Sequence, residues 1–171
     1  MSCLVILLMV VDSTGCGYRL GGYPSQSPTS VQKVEVPLFE NLTHEPRVEN
    51  TFTSAFRHRL QALPDLSLSA RSQAEAVLKG KILAVESDVV AVDREFMAME
   101  YRLTILLSLS LQQSKDGGIL WTDDNITDDI RFYASSDPLL VRDNREEALI
   151  KLSHRIAERA LDQMILQINN R

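Results

Sequence analysis

Between Tyr101 and Gln112 the chain alternates apolar and polar residues. Tyr101, Leu103, Ile105, Leu107, Leu109 and Leu111 take one parity, Arg102, Thr104, Ser108, Ser110 and Gln112 the other, and Leu106 is the single exception. Side chains of a strand point to opposite faces in turn, so the pattern predicts a long strand with one face packed and one wet. Lys115-Asp116-Gly117-Gly118 is a hairpin turn signal, and Ile119 to Tyr133 is expected to return as the partner strand, bulged or broken across Thr122–Asp129. Upstream, Val34, Val36 and Leu38 alternate with Lys33, Glu35 and Pro37, a short strand that the proline confines to an edge or an end. Asn41 to Glu45 read as a turn. Pro46 fits a first helical position, and Val48, Phe52, Ala55, Phe56, Leu60 and Leu63 make one apolar helix face ending before Pro64.

Leu66 and Leu68 predict a second short strand, and Ala76 to Val92 a longer one or a bent pair, with β-branched residues at Val85, Val89, Val90 and Val92. The last helix is expected to be capped by Asp143 or Asn144, with Glu146 as the capping-box acid for Asp143. Its inner face is Leu149, Leu152, Ile156, Ala160, Met164, Ile165 and Ile168. The order of elements predicts an α+β fold: a two-layer sandwich in which two helices cover one face of a mixed or mostly antiparallel sheet of four to five strands.

The beginning of the chain obeys a different rule. Leu4 to Val11 is an unbroken apolar run followed at once by Asp12-Ser13-Thr14-Gly15-Cys16. The run is too short for a bilayer, which takes about 20 residues, but has the length of a signal-peptide core. Ser-Thr-Gly-Cys resembles the lipobox of bacterial lipoproteins, whose cysteine is diacylated and becomes the new amino terminus. Two features depart from it: Ser13 stands where leucine is usual, and no Lys or Arg precedes the run, as though translation starts upstream of Met1. The competing reading makes residues 4–11 a buried strand. The expected organisation is therefore a signal peptide at 1–15, an acylated Cys16 with a Gly-, Pro- and Ser-rich tether at 16–30, and a single domain at 31–171.

Composition narrows the function. With 171 residues, 44% apolar and 24% charged, the chain can bury a core without staples, and its two cysteines, Cys3 and Cys16, offer the mature protein no disulfide. A net charge of −5 without a basic block argues against broad electrostatic binding to nucleic acid, so an anionic ligand must meet a few placed cations. His44, His58 and His154 are spread over a loop and two helices without metal-ligand spacing, and Asp123, Asp124, Asp128 and Asp129 lack the order of a calcium loop and read as a solvated acidic edge. No nucleophile elbow, phosphate-binding glycine loop or dinucleotide fingerprint is present, so no catalytic residue, metal or cofactor is expected.

Several segments together carry a resemblance. Gly15-Cys16-Gly17-Tyr18-Arg19-Leu20, Val36-Pro37-Leu38-Phe39-Glu40-Asn41 leading to Glu45-Pro46, Glu100-Tyr101-Arg102 and Asp143-Asn144, in this order, resemble the lipopolysaccharide-assembly lipoproteins of the LptE family over most of the chain. The resemblance implies a non-catalytic lipoprotein anchored in the inner leaflet of the outer membrane. It also implies that the chain binds lipopolysaccharide and plugs the lumen of the LptD β-barrel. Gly17 fits outer-membrane sorting, because the usual inner-membrane retention signal is an aspartate there. Lipid A carries phosphates, which an acidic protein meets with isolated exposed cations. Arg94, at the expected turn before the long strand, and Arg142, just before the last helix, are the candidate contacts, with Lys79 and Lys81 on a strand face as second choice. Competing readings are ordinary solvated arginines, a different envelope lipoprotein serving a lipid transporter or secretin, and an exported hydrolase.

Overall fold

The alternating segment becomes the centre of a six-stranded sheet. In the computed structural model, which describes residues 31–169, the elements in chain order are β1 (Lys33–Glu35), β2 (Glu40–Asn41), α1 (Val48–Gln61), β3 (Ser67–Leu68), β4 (Ala76–Val92), β5 (Ala98–Gln113), β6 (Ile119–Tyr133) and α2 (Pro138–Asn169). The signal peptide, Cys16 and the tether lie outside the described residues. The sheet order is β3-β1-β4-β5-β6, with β2 also beside β4; β1 runs parallel to β3 and β4, β2 runs parallel to β4, and β4, β5 and β6 form an antiparallel meander. The expected α+β sandwich is present. The extra strand is β2, a two-residue pairing too short to leave a period-two pattern and overlapping the turn expected from Asn41, whereas β3 falls on the short strand expected at Leu66 and Leu68.

Burial follows the alternation. Leu103, Ile105, Leu107, Leu109 and Leu111 are fully buried beneath the helices, while their polar neighbours on β5 face outward and are half-buried only because β4 and β6 flank them. Leu107 lies opposite Ile82 on β4 and Ile126 on β6. The facing helices contribute Val48, Phe52, Ala55, Phe56 and Leu60 from α1, and Leu149, Leu152, Ile156, Ala160 and Met164 from α2. The predicted break in the return strand is a register shift near Asp124, where Leu107 pairs with Ile126 but Leu109 with Asp123.

Four local differences have physical causes. Leu38 is exposed, and Phe39 enters the core instead. Its ring packs 5.1 Å from that of Phe56 and lies so close to Gly80 that a Cβ there would stand 2.5 Å from it. Helix α1 starts at Val48 rather than Pro46, because Arg47 takes a left-handed φ of 64°. Helix α2 starts at Pro138, five residues before Asp143: the Asp137 carboxylate accepts the Leu139 N–H at 2.9 Å, and proline suits the first helical turn. Asp143 and Asn144 therefore lie within the helix, and the Asn144 amide donates to the Tyr133 carbonyl at 3.0 Å.

The fourth difference is Asp128, which is not solvated. It turns toward α2, where Arg155 and Arg159 bind it at 2.9 and 3.3 Å. The same arginines donate to the Asp129 and Thr127 carbonyls, so α2 covers part of the open side of β6 and blunts an aggregation-prone edge.

Candidate functional site

The β4–β5 hairpin ends in a turn whose geometry is set by one carboxylate. Asp93 Oδ1 accepts the N–H groups of Glu95 and Met97 at 2.8 and 2.9 Å, and the Asp93 N–H donates to the Met97 carbonyl at 2.9 Å. To close this turn the chain places Phe96 at a φ of 61°, a conformation that costs an L-residue about 1–2 kcal/mol and is normally left to glycine. Nothing in the core rewards that phenylalanine: its ring is 86% exposed.

Phe96 is not alone. Met97 and Met99 are exposed next to it, as are Val89 and Val92 on the approach along β4. The Ala134 N–H donates to the Met99 carbonyl at 3.0 Å, which brings in Tyr133, 73% exposed, and α2 begins here with exposed Leu139 and Leu140. Three elements thus bring exposed apolar side chains to one end of the sheet, Val89 on the helix-facing side of the strands and Tyr133 on the outward side. Isolated exposed apolar residues are ordinary, and a set gathered at one end of a sheet is a candidate interaction surface.

Both sequence-predicted arginines stand at this end. Arg94 occupies the turn itself and is exposed. Arg142 lies in the second turn of α2 rather than before the helix, exposed, with its guanidinium 3.3 Å from Asp143. Of the acids nearby, Asp93 is engaged by the turn, Asp137 by the helix start and Asp143 by Arg142, while Glu95 stands exposed beside Arg94 in the turn. The tip therefore combines apolar area with two guanidinium groups, the chemistry needed for an amphiphile with acyl chains and a phosphorylated head. The sequence pointed to Arg94 and Arg142 as candidate cations and not to the apolar residues; Phe96, Met97 and Met99 within an expected turn, and Leu139-Leu140 outside the expected helix, were their signal.

The outward sheet face is polar. Arg102, Thr104, Ser108, Ser110 and Gln112 line it, Ser108 donates to Asp124 at 2.8 Å, and Arg102 lies 3.6 Å from Asp129. Lys79 and Lys81 lie on the same face toward the other end, where Lys81 is 3.3 Å from Glu40. Tertiary packing also brings His58 and His154 into an edge-on ring contact at 5.8 Å, which their sequence separation concealed. Among the described residues no three His, Cys, Asp or Glu side chains gather as a metal site. No helix among them is long and apolar enough to cross a membrane.

Two helices over an open mixed sheet, with a polar outer face and exposed apolar residues at one end, define an α+β two-layer fold. The model of the LptE lipopolysaccharide-assembly family matches residues 31–168, and the chain belongs to that family. The fold is similar to rare lipoprotein B from Shewanella oneidensis, with TM-score 0.54 and 14% identity over 81% of this chain and 98% of that one. It is also similar to the PelC dodecamer subunit from Paraburkholderia phytofirmans (TM-score 0.52, 15% identity, 81% and 91% covered) and to a Xanthomonas campestris protein (TM-score 0.54, 14% identity, 86% and 93% covered). A sequence comparison with curated proteins finds no match. The family is one of non-catalytic outer-membrane lipoproteins that act in lipopolysaccharide assembly.

Proposed function

We propose that this chain is held on the periplasmic face of the outer membrane by an acylated Cys16, binds lipopolysaccharide, and assembles as a plug in the lumen of an LptD-type β-barrel. It works by binding and positioning, without catalysis. The observation that carries the reading is the tip, where exposed Phe96, Met97, Tyr133, Leu139 and Leu140 share one end of the sheet with Arg94 and Arg142. Acyl chains meet the first and lipid A phosphates the second. The polar outer face of β5 supports the plug reading, since a wet barrel lumen accepts hydroxyls and amides without a desolvation penalty.

Changing Arg94 and Arg142 together to Glu should weaken binding of lipid A more than binding of its dephosphorylated form, with stability kept within about 0.5 kcal/mol as for surface sites. Equal binding of both lipids by wild type and variant refutes the phosphate role. Co-expression with the outer-membrane barrel tests the plug. Co-purification with a lipid transporter or a secretin in its place would support the alternative of an accessory subunit, and palmitate labelling of wild type but not Cys16→Ala tests the anchor.

A further inference from the structure

The described residues hold three methionines, Met97, Met99 and Met164, and the fold treats them oppositely. Met164 is 1% exposed on the inner face of α2, whereas Met97 and Met99 are 64% and 53% exposed at the end of the β4–β5 hairpin. The backbone there is fixed. The Met97 N–H donates to Asp93 Oδ1 and its carbonyl accepts the Asp93 N–H, both at 2.9 Å, while the Met99 carbonyl accepts the Ala134 N–H at 3.0 Å. What the turn leaves to solvent is the pair of thioether side chains. By alternation Met99 lies on the side of β5 that carries Tyr101, whose ring stacks on Phe132 at 5.2 Å, and Met97 immediately precedes the strand.

No cysteine lies among the described residues, so a thioether is their most reactive group toward a two-electron oxidant, and exposure decides which thioether reacts. The product, methionine sulfoxide, is a polar hydrogen-bond acceptor. At Met97 and Met99 water solvates the new S=O groups, so the fold bears no cost. An acyl chain laid over the same side chains must strip that water away, and the cost then falls on the bound state alone. A sulfoxide at Met164 would instead be buried among apolar side chains and would act on stability.

We propose that Met97 and Met99 are a paired modification site for a hypohalous acid, and that their oxidation to methionine sulfoxide releases lipid from the tip. The proposal rests on the tip reading above and adds a chemical control to it. With hypochlorous acid the sulfur lone pair attacks chlorine and expels hydroxide. Water then adds to the chlorosulfonium sulfur, chloride leaves, and two protons are lost, one of them to the hydroxide. The thioether gains one oxygen and loses two electrons, and the acid is reduced to chloride with release of one proton. Reversal takes two thiols, which leave as a disulfide while the sulfoxide oxygen leaves as water.

The test treats the full detergent-solubilised protein with limiting hypochlorous acid, follows Met97, Met99 and Met164 by peptide mass spectrometry, and measures lipid A binding before and after. Met97 and Met99 should be oxidised first and Met164 only on unfolding. Oxidised wild type should bind lipid A at least about tenfold more weakly, with an unchanged thermal midpoint. Methionine sulfoxide reductases A and B with dithiothreitol should restore binding, each acting on one sulfoxide epimer. Met97→Leu combined with Met99→Leu keeps every other oxidisable group and should show the same affinity before and after the treatment. Oxidation of Met164 at the rate of Met97 and Met99 overturns the site. No loss of binding in oxidised wild type, or an equal loss in the double variant, overturns the control. Untreated wild type that fails to bind lipid A refutes the tip reading, and the control with it, while the modification site stands or falls by the mass spectra.

Discussion

Phe96→Gly separates what the fold needs from what the tip is for. The wild-type residue holds φ 61°, at a cost of about 1–2 kcal/mol for an L-residue, and its ring makes no core contact to offset that cost. Glycine removes the penalty but adds about 0.5–1 kcal/mol of chain entropy to be lost on folding, so the variant should be as stable as wild type or more stable by up to about 1.5 kcal/mol. Binding should move the other way. Fully burying a phenylalanine is worth about 1.5–3 kcal/mol, and with 86% of this side chain exposed nearly all of that is available to a bound acyl chain. Loss of the ring should then weaken lipid A binding about 10- to 100-fold.

Thermal melts and calorimetric titration with lipid A measure the two effects. Phe96→Ala serves as control, because it loses the ring but keeps the backbone strain and should bind as weakly as the glycine variant while being less stable. A glycine variant destabilised by more than about 1 kcal/mol would show that the ring packs against the fold. Unchanged lipid binding would show that the apolar tip serves something else.

Three further perturbations test the packing and the electrostatics. Gly80→Ala puts a Cβ 2.5 Å from the Phe39 ring, itself held against Phe56, and should destabilise by about 1–3 kcal/mol in urea unfolding, with Phe39→Leu restoring part of the loss. Leu107→Asp should unfold the domain, since an unpaired carboxylate at a fully buried site costs several kcal/mol, whereas Ser110→Asp on the outward face should leave the circular-dichroism melt within about 0.5 kcal/mol of wild type. The Glu75 carboxyl is held below its usual range by the N–H groups of Gln32 and then Lys33, so its stabilising contribution is present above the ordinary carboxylate range and is lost as pH falls through the lowered value. The stability gap between wild type and Glu75→Gln should accordingly shrink on acidification, and a gap independent of pH in denaturant titrations would exclude the linkage.

Periodicity alone determined the sheet meander and both helical faces, because side chains that alternate or repeat every three to four residues have one arrangement that buries them. Thus β5 packs Leu103 through Leu111 as expected, the return strand spans Ile119–Tyr133 with its bulge in the polar stretch, and α1 buries Phe52, Phe56 and Leu60. The two arginines were legible as isolated cations beside recognisable segments. What the chain order concealed is everything that depends on which ends meet. Gly80 is demanded by a ring 41 positions away, Asp128 is neutralised from α2, and the two-residue strand β2 exists only because β4 is there to pair with it. The apolar tip belongs to the same class. Phe96, Tyr133 and Leu139 are unremarkable in separate segments, and only the closing of the hairpin beside the start of α2 brings them to one end of the sheet, since proximity across a fold is set by strand register and helix packing rather than by local preference.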